Sequence, residues 1–122
     1  MTIERPKLAD MRRLVLAFVN SWQGFRGAFR FEAAFRQEVG LAVVLLPLGV
    51  YLGQTPVEKA LLVSSVLFVL VVELLNTGIE TVVDRIGLER HELSGLAKDV
   101  GSTAVLLSFA VLAVIWGFLL LG

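Results

Sequence analysis

The sequence predicts an all-α membrane protein, with one amphipathic helix lying in the membrane interface and three helices that cross. Three observations predict it. Hydrophobic residues make up 57% of the 122-residue chain and gather in three blocks, whereas water-soluble domains hold about half apolar residues at most. Lysine and arginine crowd the connections on one side of those blocks and nearly vanish from the other. Within the second block, Glu73, Asn76, Glu80 and Asp84 interrupt a predominantly apolar run.

The first element is expected over 8–30. Phe18, Trp22, Phe25 and Phe29 recur at spacings of four, three and four, which is one stripe of a helix, with Arg26 and Arg30 on the opposite face. Asp10 is placed to cap its start, and Gly24 and Gly27 weaken its interior. Such a helix rests in the interface with its rings in the acyl boundary. It serves either as an anchor alone or as one wall of a site that admits lipid from the side. The arginine-studded stretch up to Gln37 lacks the apolar core of a cleaved signal peptide, so the N-terminus is expected to be retained.

Residues 39–53 are short for a span, which needs about 20 residues. Extension back through Ala33, Ala34 and Phe35 gives a first span over 33–53, where Pro47 removes a backbone donor and is expected to bend the helix. Gly53-Gln54-Thr55-Pro56 reads as a tight external turn, and Thr55 or Pro56 opens the next helix. The second span, 57–86, is long enough to cross and carry its acidic end into the headgroup zone. A cytoplasmic loop is expected over 87–99, then a third span over 100–121 that carries no charge and has Trp116 toward its end. Gly101, Ala104 and Ser108 give that span a small-residue face suited to close packing. No internal repeat or linker divides the chain, so residues 1–122 read as one domain.

Charge placement tests the three crossings. Arg5, Lys7, Arg12, Arg13, Arg26, Arg30 and Arg36 precede the first span, and Arg85, Arg90 and Lys98 lie between the second and third. Only Lys59 falls between the first two. Three crossings put ten cations on one side and one on the other, as cytoplasmic retention of basic residues requires. If the first block failed to cross, the split would be eight against three. The N-terminal arm and the 87–99 segment therefore both face the cytoplasm. Zero net charge argues against a nucleic-acid partner. The lack of cysteine excludes disulfide scaffolds, thiolate metal sites and cysteine nucleophiles.

At about 100° per residue, the offsets of three, seven and eleven put Glu73, Asn76, Glu80 and Asp84 on one narrow stripe. Ionisable side chains at mid-bilayer cost on the order of 2.5–3.5 kcal/mol each, and their default reading is functional. The topology gathers Glu32 and Glu38 near the same side, with Glu89, His91, Glu92, Lys98 and Asp99 in the following segment. Carboxylates beside a lysine and arginines suit Mg²⁺ and a polyphosphate, since magnesium takes a few carboxylate oxygens together with substrate phosphates and water. Phosphoryl transfer needs positioning, charge neutralisation and a base for the attacking hydroxyl. Neither a Walker loop nor a Gly-x-Gly-x-x-Gly motif is present, so a nucleotide enzyme built on this chain uses neither scaffold. His91, the only histidine, suits a loop or nucleotide contact better than a zinc site.

Glu32-Ala-Ala-Phe-Arg-Gln-Glu38, Glu73-Leu-Leu-Asn-Thr-Gly-Ile-Glu80 with Asp84-Arg-Ile-Gly87, and His91-Glu-Leu-Ser-Gly-Leu-Ala-Lys-Asp99 together resemble the small prokaryotic integral-membrane diacylglycerol kinases, in order, from about Arg13 to Trp116. The His-Glu-Leu-Ser-Gly segment resembles the Gram-negative diacylglycerol branch rather than the undecaprenol-kinase branch. The resemblance implies ATP- and Mg²⁺-dependent phosphorylation of the hydroxyl of diacylglycerol to phosphatidic acid. It also implies a homotrimeric helical bundle in the bacterial inner membrane, with active sites shared between subunits.

Carried over by position, the resemblance makes Glu73 the general base, with Asn76 orienting it or the lipid hydroxyl. Glu32 and Glu80 become the metal-binding carboxylates. Arg13, Asn20, Glu32, Glu80, Glu89, Arg90, His91, Lys98 and Asp99 become ATP contacts. Arg13, Ser21, Trp22, Arg26, Ala34, Phe35, Arg36, Gln37, Glu38, Glu73, Ser102 and Trp116 become lipid contacts. Asn20 and Arg90 stand where aromatic residues are expected in close relatives, and Leu96 where a basic one is. Two alternatives remain at this stage: an undecaprenol kinase on the same scaffold, and an oligomeric proton or ion channel with Glu73 and Glu80 as relay carboxylates.

Overall fold

The computed structural model describes residues 7–122. Four helices follow one another: α1 Lys7–Phe31, α2 Ala33–Leu52, α3 Pro56–Ile86 and α4 Glu92–Leu121. The last three are each long and apolar enough to cross a membrane. Arg5, counted among the cations that precede the first span, lies outside the described residues.

α1 carries its aromatic stripe as expected. Trp22 stacks on Phe25 at 6.2 Å and Phe25 on Phe29 at 6.3 Å. Phe25 then meets Phe35 of α2 edge-on at 5.3 Å, and Phe35 is fully buried. Arg36 ties the α1–α2 junction from the other side. Its Nη1 donates to the carbonyls of Phe29 and Arg30, both at 2.9 Å, satisfying acceptors that a helix C-terminus leaves without intrahelical partners. Phe35 and Arg36, expected along a lipid path, therefore fasten α1 to α2.

The external turn has the chemistry its residues dictate. Thr55 caps α3, its Oγ1 accepting from the Glu58 amide at 3.1 Å, while Glu58 Oε2 accepts from the Thr55 amide at 3.0 Å. Pro56 opens the helix where a missing amide hydrogen is harmless. Beyond α3 the chain departs from the expected loop over 87–99. Residues 92–99 form the first two turns of α4. The reason is local: His91 Nδ1 accepts from the Leu93 amide at 3.1 Å and serves as the N-cap, with Glu92 in the first turn to complement the helix dipole. On the expected small-residue face of α4, Gly101 and Ser108 are buried, but Ala104 is exposed.

α3 is the central element, packed against α2 on one side and α4 on the other. The half of the bundle nearer the α2–α3 turn closes where three helices meet. A Cβ on Gly49 of α2 would lie in ordinary contact with Trp116 Cζ2 at 3.6 Å but only 3.2 Å from Leu62 Cβ, so glycine there lets Leu62 pack close without giving way. Trp116 Nε1 donates to Ser65 Oγ at 2.9 Å, and Ser65 Oγ donates to the Leu62 carbonyl at 2.8 Å. Ser65→Ala leaves the indole donor without its acceptor and should destabilise the protein by roughly 1–3 kcal/mol. Adding Trp116→Phe to that variant should lower stability far less than the same change does in the wild type. Thermal unfolding of the four proteins in detergent micelles checks both expectations.

Candidate active site

The stripe on α3 turns inward. Glu73 and Asn76 are 5% and 7% exposed, in a helix whose Leu67, Val71, Leu75 and Val82 lie open to the surroundings. Glu73, Asn76 and Glu80 line a cavity of about 270 Å³, completed by Glu32 at the N-cap of α2, Ala34 and Glu38 of α2, and Ser102 and Val105 of α4. Glu38 and Glu73 lie close enough there to interact directly. Asn76 Nδ2 donates to Glu80 Oε1 at 3.5 Å. Asn76 Oδ1 and Glu38 Oε2 are buried without a hydrogen-bond partner.

Four carboxylates converge on this cavity, and no basic side chain lines it. Such a donor set is all oxygen and short of positive charge. Among the described residues, no three acidic or histidine side chains come together tightly enough to cage an ion. That combination fits Mg²⁺, which takes one or two carboxylates and completes its octahedron with phosphate oxygens and water.

One helical turn further along α3, about 6 Å at 1.5 Å per residue, Asp84 opens on a second cavity of about 210 Å³. Glu89, Arg90 and His91 of the α3–α4 connection and Ser94, Gly95 and Lys98 of α4 line it. Lys98 Nζ reaches Asp84 Oδ1 at 2.7 Å, with both side chains about half exposed. This cavity holds the cations that the acidic one lacks.

The structure thus brings together Glu32, Ala34, Glu38, Glu73, Asn76, Glu80 and Ser102 in one place, and Glu89, Arg90, His91 and Lys98 in the neighbouring one. Several expected residues join neither. Asn20, Trp22 and Arg26 are exposed on α1, and Arg13 borders a shallow cleft with Asp10 and Leu14. Asp99 and Gln37 are exposed, and Trp116 belongs to the three-helix contact at the other end of the bundle. Ser21 lines a third cavity of about 730 Å³ between α1 and α3, with Phe25, Glu32, Leu74 and Thr77 among its walls. Sequence reasoning gave Thr77 and Gly78 no role, although their offset from Leu74 and Thr81 places all four on the α1-facing side of α3. Asp84, on the same stripe of α3, pairs with Lys98 fourteen residues further on, beyond any local spacing rule.

Comparison with known proteins identifies the family. The sequence model of the family described as prokaryotic diacylglycerol kinase matches residues 19–120. The chain is 48% identical over 114 residues to the diacylglycerol kinase of Haemophilus influenzae, covering 93% of this chain and 97% of that one. It is 50% identical over 109 residues to the diacylglycerol kinase of Escherichia coli, 88% of each chain. To the diacylglycerol kinase of Pseudomonas aeruginosa it is 48% identical over 112 residues, 92% of this chain and 91% of that one.

Proposed function

The chain belongs to the prokaryotic diacylglycerol kinase family, and we propose that it is a membrane lipid kinase that moves the γ-phosphoryl group of ATP to the free hydroxyl of 1,2-diacylglycerol. The products are phosphatidic acid and ADP. The names of the relatives favour diacylglycerol over undecaprenol as acceptor and favour an enzyme over a channel. In the molecule itself, the reading is carried by two cavities one turn apart on α3, one acidic and one holding Arg90, His91 and Lys98.

The residues divide the chemistry between them. Lys98 and Arg90 receive the polyphosphate, Lys98 exchanging the Asp84 carboxylate for phosphate oxygens. Glu32 and Glu80 hold Mg²⁺, which when bound neutralises charge on the triphosphate. Glu73, deeper in the apolar helix, takes the proton of the acceptor hydroxyl as its oxygen bonds to the γ-phosphorus and the bond to the bridging oxygen of ADP breaks. Asn76 holds Glu80 through its Nδ2. α1 closes the lipid side, and the 730 Å³ space beneath it accommodates acyl chain.

We place the chain in the bacterial inner membrane with its N-terminus cytoplasmic, as a homotrimer with shared active sites. Two observations support the sharing: the ATP and lipid contacts expected of Asn20 and Trp22 sit on an exposed face of α1, and neither residue lines the two cavities of its own chain.

Purified protein in mixed micelles with Mg²⁺ and γ-labelled ATP should carry label into diacylglycerol and not into undecaprenol. Glu73→Gln should lose at least about 10²-fold in turnover, the lower range for a missing general base, with nucleotide binding largely kept. A Glu73→Gln variant with near wild-type turnover removes Glu73 from this role. Because the chain has no cysteine, single substitutions report orientation cleanly. Gln54→Cys should react with an impermeant maleimide in intact spheroplasts, and Glu92→Cys only in inverted vesicles.

A further inference from the structure

We propose that Gly101 is a positioning residue for the kinase reaction: by carrying no side chain, it lets Asn76 lie flat between α3 and α4 and so fixes the amide that bonds Glu80. The inference rests on the functional reading above and adds to it a residue on a different helix.

The observations are geometric. Gly101 is buried in α4, and a Cβ built on it would collide with Asn76 Oδ1 and lie 3.2 Å from Asn76 Cγ and 3.9 Å from its Cβ. The amide group therefore occupies the volume that any other residue at position 101 would fill. The colliding atom is not the far end of a long flexible chain. Asn76 has two side-chain torsions, is 7% exposed, and has its Nδ2 on Glu80 Oε1 at 3.5 Å. Moving Oδ1 away from α4 rotates the whole amide and carries Nδ2 off Glu80. Its Oδ1 already has no hydrogen-bond partner, so nothing else anchors the displaced group.

The other glycines of α4 behave differently. At Gly95 and Gly117 an added Cβ meets nothing within 4 Å. Only Gly101 is required by contact, and it faces the one amide in the cavity of Glu32, Glu73 and Glu80. A glycine inside a helix lowers helix stability relative to alanine, so the position gives up local stability for the close approach.

Two measurements test this on the full-length protein in mixed micelles. Gly101→Ala should lower kcat by roughly 100-fold, the scale expected for a displacement of about 1 Å in a reacting assembly, while the Kd for ATP changes little. Gly117→Ala should leave turnover unchanged. Thermal unfolding supplies the second readout, which does not need activity. Gly101→Ala should lower Tm in the wild type but leave it equal or raise it in the Asn76→Ala background, where the overlap is gone and alanine is the better helix former. A Gly101→Ala protein that turns over within about threefold of the wild type, or that loses the same Tm in both backgrounds, overturns the proposal. If the wild type does not phosphorylate diacylglycerol, the functional reading falls and takes this inference with it. If the wild type is active, Asn76→Ala is crippled and Gly101→Ala is unimpaired, only the inference falls.

Discussion

A carboxylate in the middle of a membrane-length helix can be tolerated only if protein, not lipid, surrounds it, and Glu73 imposes that condition on the whole bundle. α3 must turn its polar stripe toward other helices, so it becomes the central element with α2 and α4 on either side. Its apolar residues Leu67, Val71, Leu75 and Val82 are left outward, where lipid would meet them. The same requirement explains the cavity. Glu32, Glu38, Glu73 and Glu80 cannot be close-packed against one another as bare charges, and about 270 Å³ of space is left among them even though α4 comes close to α3 at Gly101.

Much of this was legible in the sequence because it is written in local periodicity. The offsets from Glu73 to Asp84 fix one face of a helix, three apolar runs fix three long helices, and Thr55-Pro56 with Glu58 three residues on fixes the start of α3. The membership of the acidic cavity followed from the same arithmetic on α3 and from the motif resemblance on α2. What escaped depends on contacts that hydrophobic periodicity does not encode. Trp116 was read as lipid-facing, and its hydrogen bond to Ser65, 51 residues away, leaves no trace in either segment. Arg36 resembled part of a lipid path, yet it caps the helix before its own through the carbonyls of Phe29 and Arg30. The early start of α4 turned on a histidine used as an N-cap, a residue outside the usual set of serine, threonine, aspartate and asparagine.

These contacts share a pattern. They hold the two ends of the bundle, while the candidate site sits between them. At one end, Gly49, Leu62, Ser65 and Trp116 lock three helices together. At the other end, Arg36 fastens α1 to α2 and the Lys98–Asp84 pair spans α3 and α4. The first lock is largely apolar, with the Trp116–Ser65 and Ser65–Leu62 hydrogen bonds within it, so it is fixed. The second is an ion pair with both partners about half exposed, and such a pair contributes at most about 1 kcal/mol in that setting. A contact that weak can be exchanged for another anion with little loss of stability, whereas the first lock cannot open without unpacking the core. The bundle is thus rigid at the α2–α3 end and yielding at the end that the proposed function gives to the nucleotide. Side chains carried on helices hold their geometry better than those on loops, and here the proposed base and both candidate metal ligands lie on helices or directly at a helix start. The exchangeable contacts are confined to the end that faces water.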